Sequence, residues 1–531
     1  MFKKLLAILL CISMIATLLA ACNSNKDSND DSNNDLNNEG IYEEETTKKK
    51  KPNKEQETDD EEPTNEEDTT TSEEVTTEEE ITGTDGIIYE LSNDGTYAIV
   101  KGYDYNGKDK DIVIGNRFNG VPVTTIDWYA FEYNGLIKSV VIPDSVTHIG
   151  MLAFYKCTNL SNVILGSNLI EIGAGAFREC TSITTINIPE GVINIGNGAF
   201  DCCTNLREIN IPDSIETIEK TAFAACDNLR YTEYDNALYL GNKNNPYTVL
   251  VKAKSMSIET CTTHTNTKII NCHAFSYCNN LNSIIINENV KYIGEDAFYS
   301  CENLVNVSIP NSITNIHESA FKECRKIKFN EFDNALYLGN SDNPYTVLFK
   351  AKHKNITSCD INPNTKIIYH FAFDNCANIS NIVIPDSVEY LGDSSFSYCS
   401  NLVDIKLSKN IKNIGYSAFL YSTHISNIVI PEGITIINGA TFHTCMSLTD
   451  ISIPNGVTSI GGKAFFNCIN VNNIIIPTSV TSVGSSAFAA CHALETVYYS
   501  GTEEEWKKIA IDDNDNDYLK NATIIYNYQP E

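Results

Sequence analysis

The sequence predicts an α/β repeat solenoid, mostly β, built from about 14 units of 23 residues. Three observations predict it. Phenylalanine recurs at 131, 154, 177, 200 and 223, then at 275, 298 and 321, then at 373, 396, 419, 442, 465 and 488, so that eleven of thirteen intervals are 23 and two are 52. Ala precedes this Phe in twelve of fourteen cases, with Ser395 and Thr441 the exceptions, and Cys follows three residues later in twelve, with Asn134 and Ser422 the exceptions. Between successive Phe residues the apolar side chains fall at alternate positions, the period of a half-buried strand. A fixed period of this length means stacked supersecondary units, none of which buries its apolar face alone.

The chain opens with an address. Met1–Ala21 has a basic start at Lys3 and Lys4, an apolar run over Leu5–Leu19, and Leu19-Ala20-Ala21 before Cys22. That run is shorter than the roughly 20 residues a membrane span needs, and it ends in small residues as a cleavage site does. Small residues before a Cys resemble the bacterial lipobox, which implies a signal peptide over 1–21, a lipid on Cys22, and a chain outside the cytoplasm, anchored to the bacterial cell membrane and exposed at the cell surface.

Residues 22–84 read as an acidic tether. Residues 23–84 carry 22 Asp and Glu against 6 Lys and Arg, with hardly an apolar side chain. Such a composition does not bury enough surface to offset the entropy of ordering, so a self-repelling stalk is expected. The whole chain has a net charge of −31 and no basic stripe. That excludes general nucleic-acid binding, which needs clustered Lys and Arg for phosphate contact.

The body spans 85–531, with an N-terminal capping segment over 85–130, the solenoid over 131–493 and a C-terminal capping segment over 494–531. Gly86–Lys101 holds two apolar runs around Asp94-Gly95, a hairpin signal. In the repeat, Ile183-x-x-Ile186-x-Ile188 predicts a strand, Pro189 ends it because it lacks a backbone donor, and Gly196 permits a turn before Ala199-Phe200. Each coil is therefore expected to carry a strand, a corner, a second short extended stretch and a tight helical turn, giving a parallel strand face. At the far end, Thr502 with Glu505 forms a capping box for a short helix over Glu503–Ile511, and Ala522–Tyr528 reads as a closing strand.

These residues resemble the leucine-rich repeat class, whose Leu-x-x-Leu-x-Leu is echoed by Leu206-Arg-Glu-Ile209-Asn-Ile211. The pattern Ile-Pro…Val-x-x-Ile-Gly-x-x-Ala-Phe-x-x-Cys looks more closely like the BspA-like, Treponema pallidum-type repeats of bacterial surface lipoproteins, over roughly 85–531. The resemblance implies a right-handed coil and a non-catalytic protein of adhesion or protein and glycan recognition, acting as a monomer. Its implied partners are an extracellular protein or glycan, host matrix or another bacterial cell. A structural envelope component and an accessory or sensor subunit of a surface complex are the alternatives.

The two long intervals hold matched insertions of 29 residues, near 230–257 and 328–355. Asp235-Asn-Ala-Leu-Tyr-Leu-Gly-Asn242 returns 98 residues later as Asp333–Asn340, and Asn245-Pro-Tyr-Thr-Val-Leu250 as Asn343–Leu348. They read as a hairpin or strand pair with a longer turn. Because insertions in a solenoid lie on one face and often mark its binding face, Tyr239, Asn242, Tyr247, Tyr337, Asn340 and Tyr345 are candidate contact residues. The outward strand positions add Thr184, Asn187, Arg207, Asn210, Asn381 and Asn472, a polar strip of hydrogen-bonding groups.

Catalytic, metal and cofactor chemistry finds no foothold in the sequence. The Cys at Phe+3 suits a small apolar corner, and thiols stacked in parallel point the same way, so free buried thiols are expected rather than a disulfide ladder. Cys261, His264, Cys272 and His273 look zinc-like, yet the counterpart of His264 is Asn362. Asp513, Asp515 and Asp517 start like a calcium loop but lack its Gly and closing Glu.

Overall fold

The computed structural model describes residues 80–104 and 109–529. The tether and Cys22 lie outside the described residues. The unit Thr77–Glu531 is compact, and within it the chain winds into a mostly β, parallel-stranded solenoid of about 18 turns. Four turns more than the Phe count arise because the turns that carry the strands Ala98–Tyr103, Val249–Ala253, Val347–Ala351 and Ala510–Ile511 lack the Phe marker.

Each regular turn contributes two strands to two parallel ladders. The first ladder comes from the Leu-x-x-Ile-x-Ile segment, as where Thr185–Asn187 pairs with Glu208–Asn210. Ile183, Ile186 and Ile188 of that segment point inward, while Thr184, Thr185 and Asn187 are exposed. The second ladder comes from the Val-x-x-Ile segment, as where Asn194–Ile195 lies between Glu171–Ile172 and Thr217–Ile218. Where a glycine follows one of its strands, it sits against the preceding coil. A Cβ on Gly484 would lie 2.6 Å from the Gly462 nitrogen.

The third side is a stack of rings. Eleven successive Phe pairs, from Phe131–Phe154 at 4.9 Å to Phe465–Phe488 at 5.3 Å, lie within 17° of parallel. Offset stacking contributes roughly 0.5–1.5 kcal/mol per pair beyond burial. This corner is not the expected helical turn. The Phe131 and Phe154 amides donate to the carbonyls of Ala153 and Ala176 in the next coil rather than to carbonyls four residues back. Residues such as Lys156 and Glu179 take left-handed backbone there, with φ of 58°. Helix among the described residues is confined to Glu503–Trp506 and Asp517–Asn521.

The ends close differently. Ile87–Leu91 and Ala98–Tyr103 form an antiparallel hairpin, its turn tied by Asp94 accepting from Ser92 and Thr96 hydroxyls. At the other end the capping box of Thr502 and Glu505 is present, over a helix shorter than the sequence suggested, and Thr523–Ile525 adds the last strand of the first ladder. No helix among the described residues is long and apolar enough to cross a membrane.

Candidate interaction surface

The insertions depart most from expectation. The first is a three-stranded antiparallel meander of Thr232–Tyr234, Ala237–Leu240 and Val249–Ala253. Its last strand re-enters the second ladder in parallel, Val249 opposite Ile269 and Leu250 opposite Ile270. The second insertion repeats this with Asn330–Phe332, Ala335–Leu338 and Val347–Ala351. The segments are thus part of the wall rather than ornaments on it.

Burial follows. Tyr239 and Tyr337 are fully buried, and each hydroxyl accepts a backbone amide, from His264 and Asn362 at 3.3 Å. As candidate contact residues both are corrected: they are core, because the strand that carries them faces the solenoid interior. Asn242 and Asn340 hold turns, the Asn242 Oδ1 accepting the amides of Asn244 and Asn245, and the Asn340 Oδ1 those of Asp342 and Asn343. Tyr247 and Tyr345 are half-buried. Tyr247 stacks on His264 with centroids 3.8 Å apart, and Tyr345 meets Tyr337 edge-on at 5.5 Å. The Asn-Pro turn is tied down too, with Asn245 Nδ2 donating to Asp213 Oδ1 at 3.1 Å.

The strand positions lie outside. Thr184, Asn187, Arg207, Asn381 and Asn472 are exposed, and Asn210 is half-buried, donating weakly to the Ile188 carbonyl at 3.4 Å. Among them are apolar side chains the sequence reading did not single out. Val383 is 62% exposed and Val429 is 76% exposed.

Val429 marks an interruption. After Asn381–Val383 and Asp404–Lys406 pair, the register calls for a strand over 427–429. That segment makes only the isolated bridge Asp404–Asn427 among the described residues. The ladder resumes at Asp450–Ser452. The interruption opens a cavity of about 730 Å³ lined by Lys406, Leu407, Asn427, Val429 and Pro431, among others. Backbone edges without their usual partner, beside an exposed valine, are what an added strand requires. The sequence holds little sign of this gap, since the position of Val429 and Val383 is also apolar at Val141, Ile164, Ile285 and Ile475.

The cysteines settle inside. All sixteen cysteines among the described residues are free. Ten at Phe+3 donate to the carbonyl of the Phe 26 residues earlier, Cys157 to Phe131 and Cys180 to Phe154 at 3.1 Å among them. Burial pushes the Cys157 and Cys226 thiols up to about 12. Asp513 bonds Lys520 in an exposed turn.

Comparison with known proteins agrees with this geometry. The family model described as the BspA type leucine rich repeat region matches residues 124–244, 253–341, 348–446 and 435–525. A search of curated proteins finds no match. Among solved structures, a leucine rich cell surface protein from Faecalibacterium prausnitzii is 28% identical, covering 82% of this chain and 98% of its own, with a TM-score of 0.28. The T. pallidum leucine rich repeat protein is 24% identical over 42% of this chain and 90% of its own, with a TM-score of 0.29. A leucine-rich repeat protein from Bacteroides ovatus is 21% identical over 83% of this chain and 98% of its own, with a TM-score of 0.30. Proteins of such repeats generally bind proteins or other ligands, and their fold is typically non-catalytic. With the repeat model spread along most of its length, the chain belongs to the BspA-type leucine-rich repeat family.

Proposed function

We propose that this protein is a non-catalytic, lipid-anchored surface protein that recognises an extracellular protein through its first-strand face, in adhesion to host matrix or to another cell. The interrupted ladder at Val429 carries the reading. A sheet face that exists only for stability has no reason to leave strand edges and a 76% exposed valine beside a cavity. An extended polypeptide supplies both the missing backbone partners and an apolar side chain for the cavity, which a glycan does not. Exposed Asp404 beside the gap, and Asn381 one strand further along the ladder, add polar selectivity. The anchor rests on the sequence around Cys22 and on the family's usual place at the cell surface.

The experiment is binding of the purified protein to a panel of matrix proteins, glycans and whole bacterial cells. Saturable binding to a protein member supports the reading. Binding to glycans alone replaces the protein ligand by a glycan, and binding to nothing favours a structural envelope component. Metabolic labelling with a fatty acid, lost in Cys22→Ala, tests the anchor separately.

A further inference from the structure

The second ladder breaks after Ile218, after Ile316 and after Ile414, where the next strand does not pair with the last. The first two breaks adjoin the insertions, which are copies 98 residues apart, so their side chains can be compared position by position. At the first, Lys220 Nζ lies 3.2 Å from Glu295 Oε1, an ion pair across the break. Cys272 is buried beside this pair, its thiol 3.8 Å from the Ile218 carbonyl. At the second, the same three positions hold Glu318, His370 and Asp393. The lysine has become a carboxylate, and the acid opposite has remained.

His370 is built into the gap. Its Nε2 is 3.0 Å from the Ile316 carbonyl, which accepts only, so Nε2 carries the proton and the lone pair sits on Nδ1. That Nδ1 accepts the Asp393 amide at 2.9 Å and lies 3.2 Å from Asp393 Oδ2. The other Asp393 oxygen is held by the Tyr416 amide at 2.7 Å, which aims Oδ2 at the ring. The backbone carrying Glu318 is fixed by the Tyr369 hydroxyl, which donates to the carbonyls of His317 at 2.8 Å and Glu318 at 3.1 Å. One donor atom from each of Glu318, His370 and Asp393 lies within 4.8 Å of the others. They border a cleft of about 510 Å³ that Tyr292 and Tyr390 also line.

We propose that Glu318, His370 and Asp393 bind a divalent transition-metal ion of the Zn²⁺ class, which joins the blocks on either side of the break as the Lys220 ammonium does at the first insertion. One imidazole and two carboxylates suit such an ion, with water in the remaining position. The Nε2 bond to Ile316 and the Tyr416 bond to Asp393 are the outer contacts that orient ligands at metal sites. The ion takes the Nδ1 lone pair from the Asp393 amide, and the exposed Glu318 swings in to complete the set. This site is independent of the recognition face.

The test is titration of the purified full chain with Zn²⁺ against a chromophoric chelator, with Co²⁺ absorption as the ligand reporter. The expected result is one tight site with an oxygen and nitrogen spectrum, weakened more than about 100-fold in His370→Ala. Glu318→Lys, which writes the first junction's residue into the second, keeps the fold, loses the site, and loses the rise in melting temperature that Zn²⁺ gives the native chain. Glu318 is exposed, so this variant stays informative should His370→Ala misfold. Zn²⁺ binding of equal strength in the native chain and Glu318→Lys overturns the proposal. So does a thiolate-to-cobalt charge-transfer band, which would put the ion on cysteine, or the absence of tight binding.

Discussion

The Ser422 hydroxyl donates to the carbonyl oxygen of Phe396 at 2.8 Å, across 26 residues, in the place where ten cysteines of other turns donate a thiol. The position therefore selects a small donor rather than sulfur. Ser422→Ala leaves a buried carbonyl without its partner and should cost about 1 kcal/mol. Ser422→Cys should fall within about 0.5 kcal/mol of the native chain, the range of substitutions that leave interactions intact. Thermal melts of the two variants check the order.

Thiol chemistry gives a second expectation, with a sign. Burial pushes Cys157, Cys226 and Cys261 up to about 12, and burial together with the Asp201 carboxylate pushes half-buried Cys202 up to about 11. The unfolded chain releases these protons near the ordinary thiol value of about 8.5. The contribution to stability is thus fully present below that pH and is lost as pH rises toward 12. Melting temperature should hold from neutrality to about pH 8.5 and fall above it. At neutral pH a maleimide should label the native chain slowly and the denatured chain fully.

At two equivalent positions after second-ladder strands, opposite substitutions should both destabilise. Gly484→Ala drives a Cβ toward the Gly462 nitrogen at 2.6 Å and should cost about 1–3 kcal/mol. Asn438 holds that position after the break at Ile414, and its Nδ2 donates to the orphaned Ile414 carbonyl at 2.7 Å. Asn438→Gly restores the common residue and should still destabilise, by about 1 kcal/mol.

The meanders predict that the insertions cannot be removed. Tyr239→Ala or Tyr337→Ala empties a fully buried site and should cost about 3–5 kcal/mol, as large-to-small aromatic changes do. Tyr247→Ala, at a half-buried ring, should cost less. Excision of 230–257 should unfold the neighbouring turns, because Val249 and Leu250 form the edge on which Ile269–Ile270 pairs.

Period and alternation made the solenoid, the Phe stack and the inward cysteines readable, since each repeats fourteen or nearly fourteen times. What repeats only twice was misread. Tyr239 and Tyr337 have the look of surface aromatics beside Asn-Pro turns, and nothing local reveals that their strand faces the core. The corner was expected to be helical because spacing alone does not say that the Phe131 amide bonds the next coil. The breaks in the ladders did leave a trace. Tyr369 and Asn438 stand where regular turns have glycine, and the change from Lys220 to Glu318 between matched copies marks the junction that holds His370. The gap at Val429 left almost none, because Val141, Ile164, Ile285 and Ile475 are apolar at the same position.

The most direct test of the recognition face is affinity of Val429→Asp and Asn381→Arg, measured beside the native chain for whichever protein of the panel binds. Both positions are exposed, so melting temperatures should move by no more than a change of about 0.5 kcal/mol allows. The account predicts that Val429→Asp loses at least about tenfold in affinity, about 1.4 kcal/mol, with its melting temperature unchanged. Native affinity in both variants would contradict it and place the contact elsewhere on the solenoid.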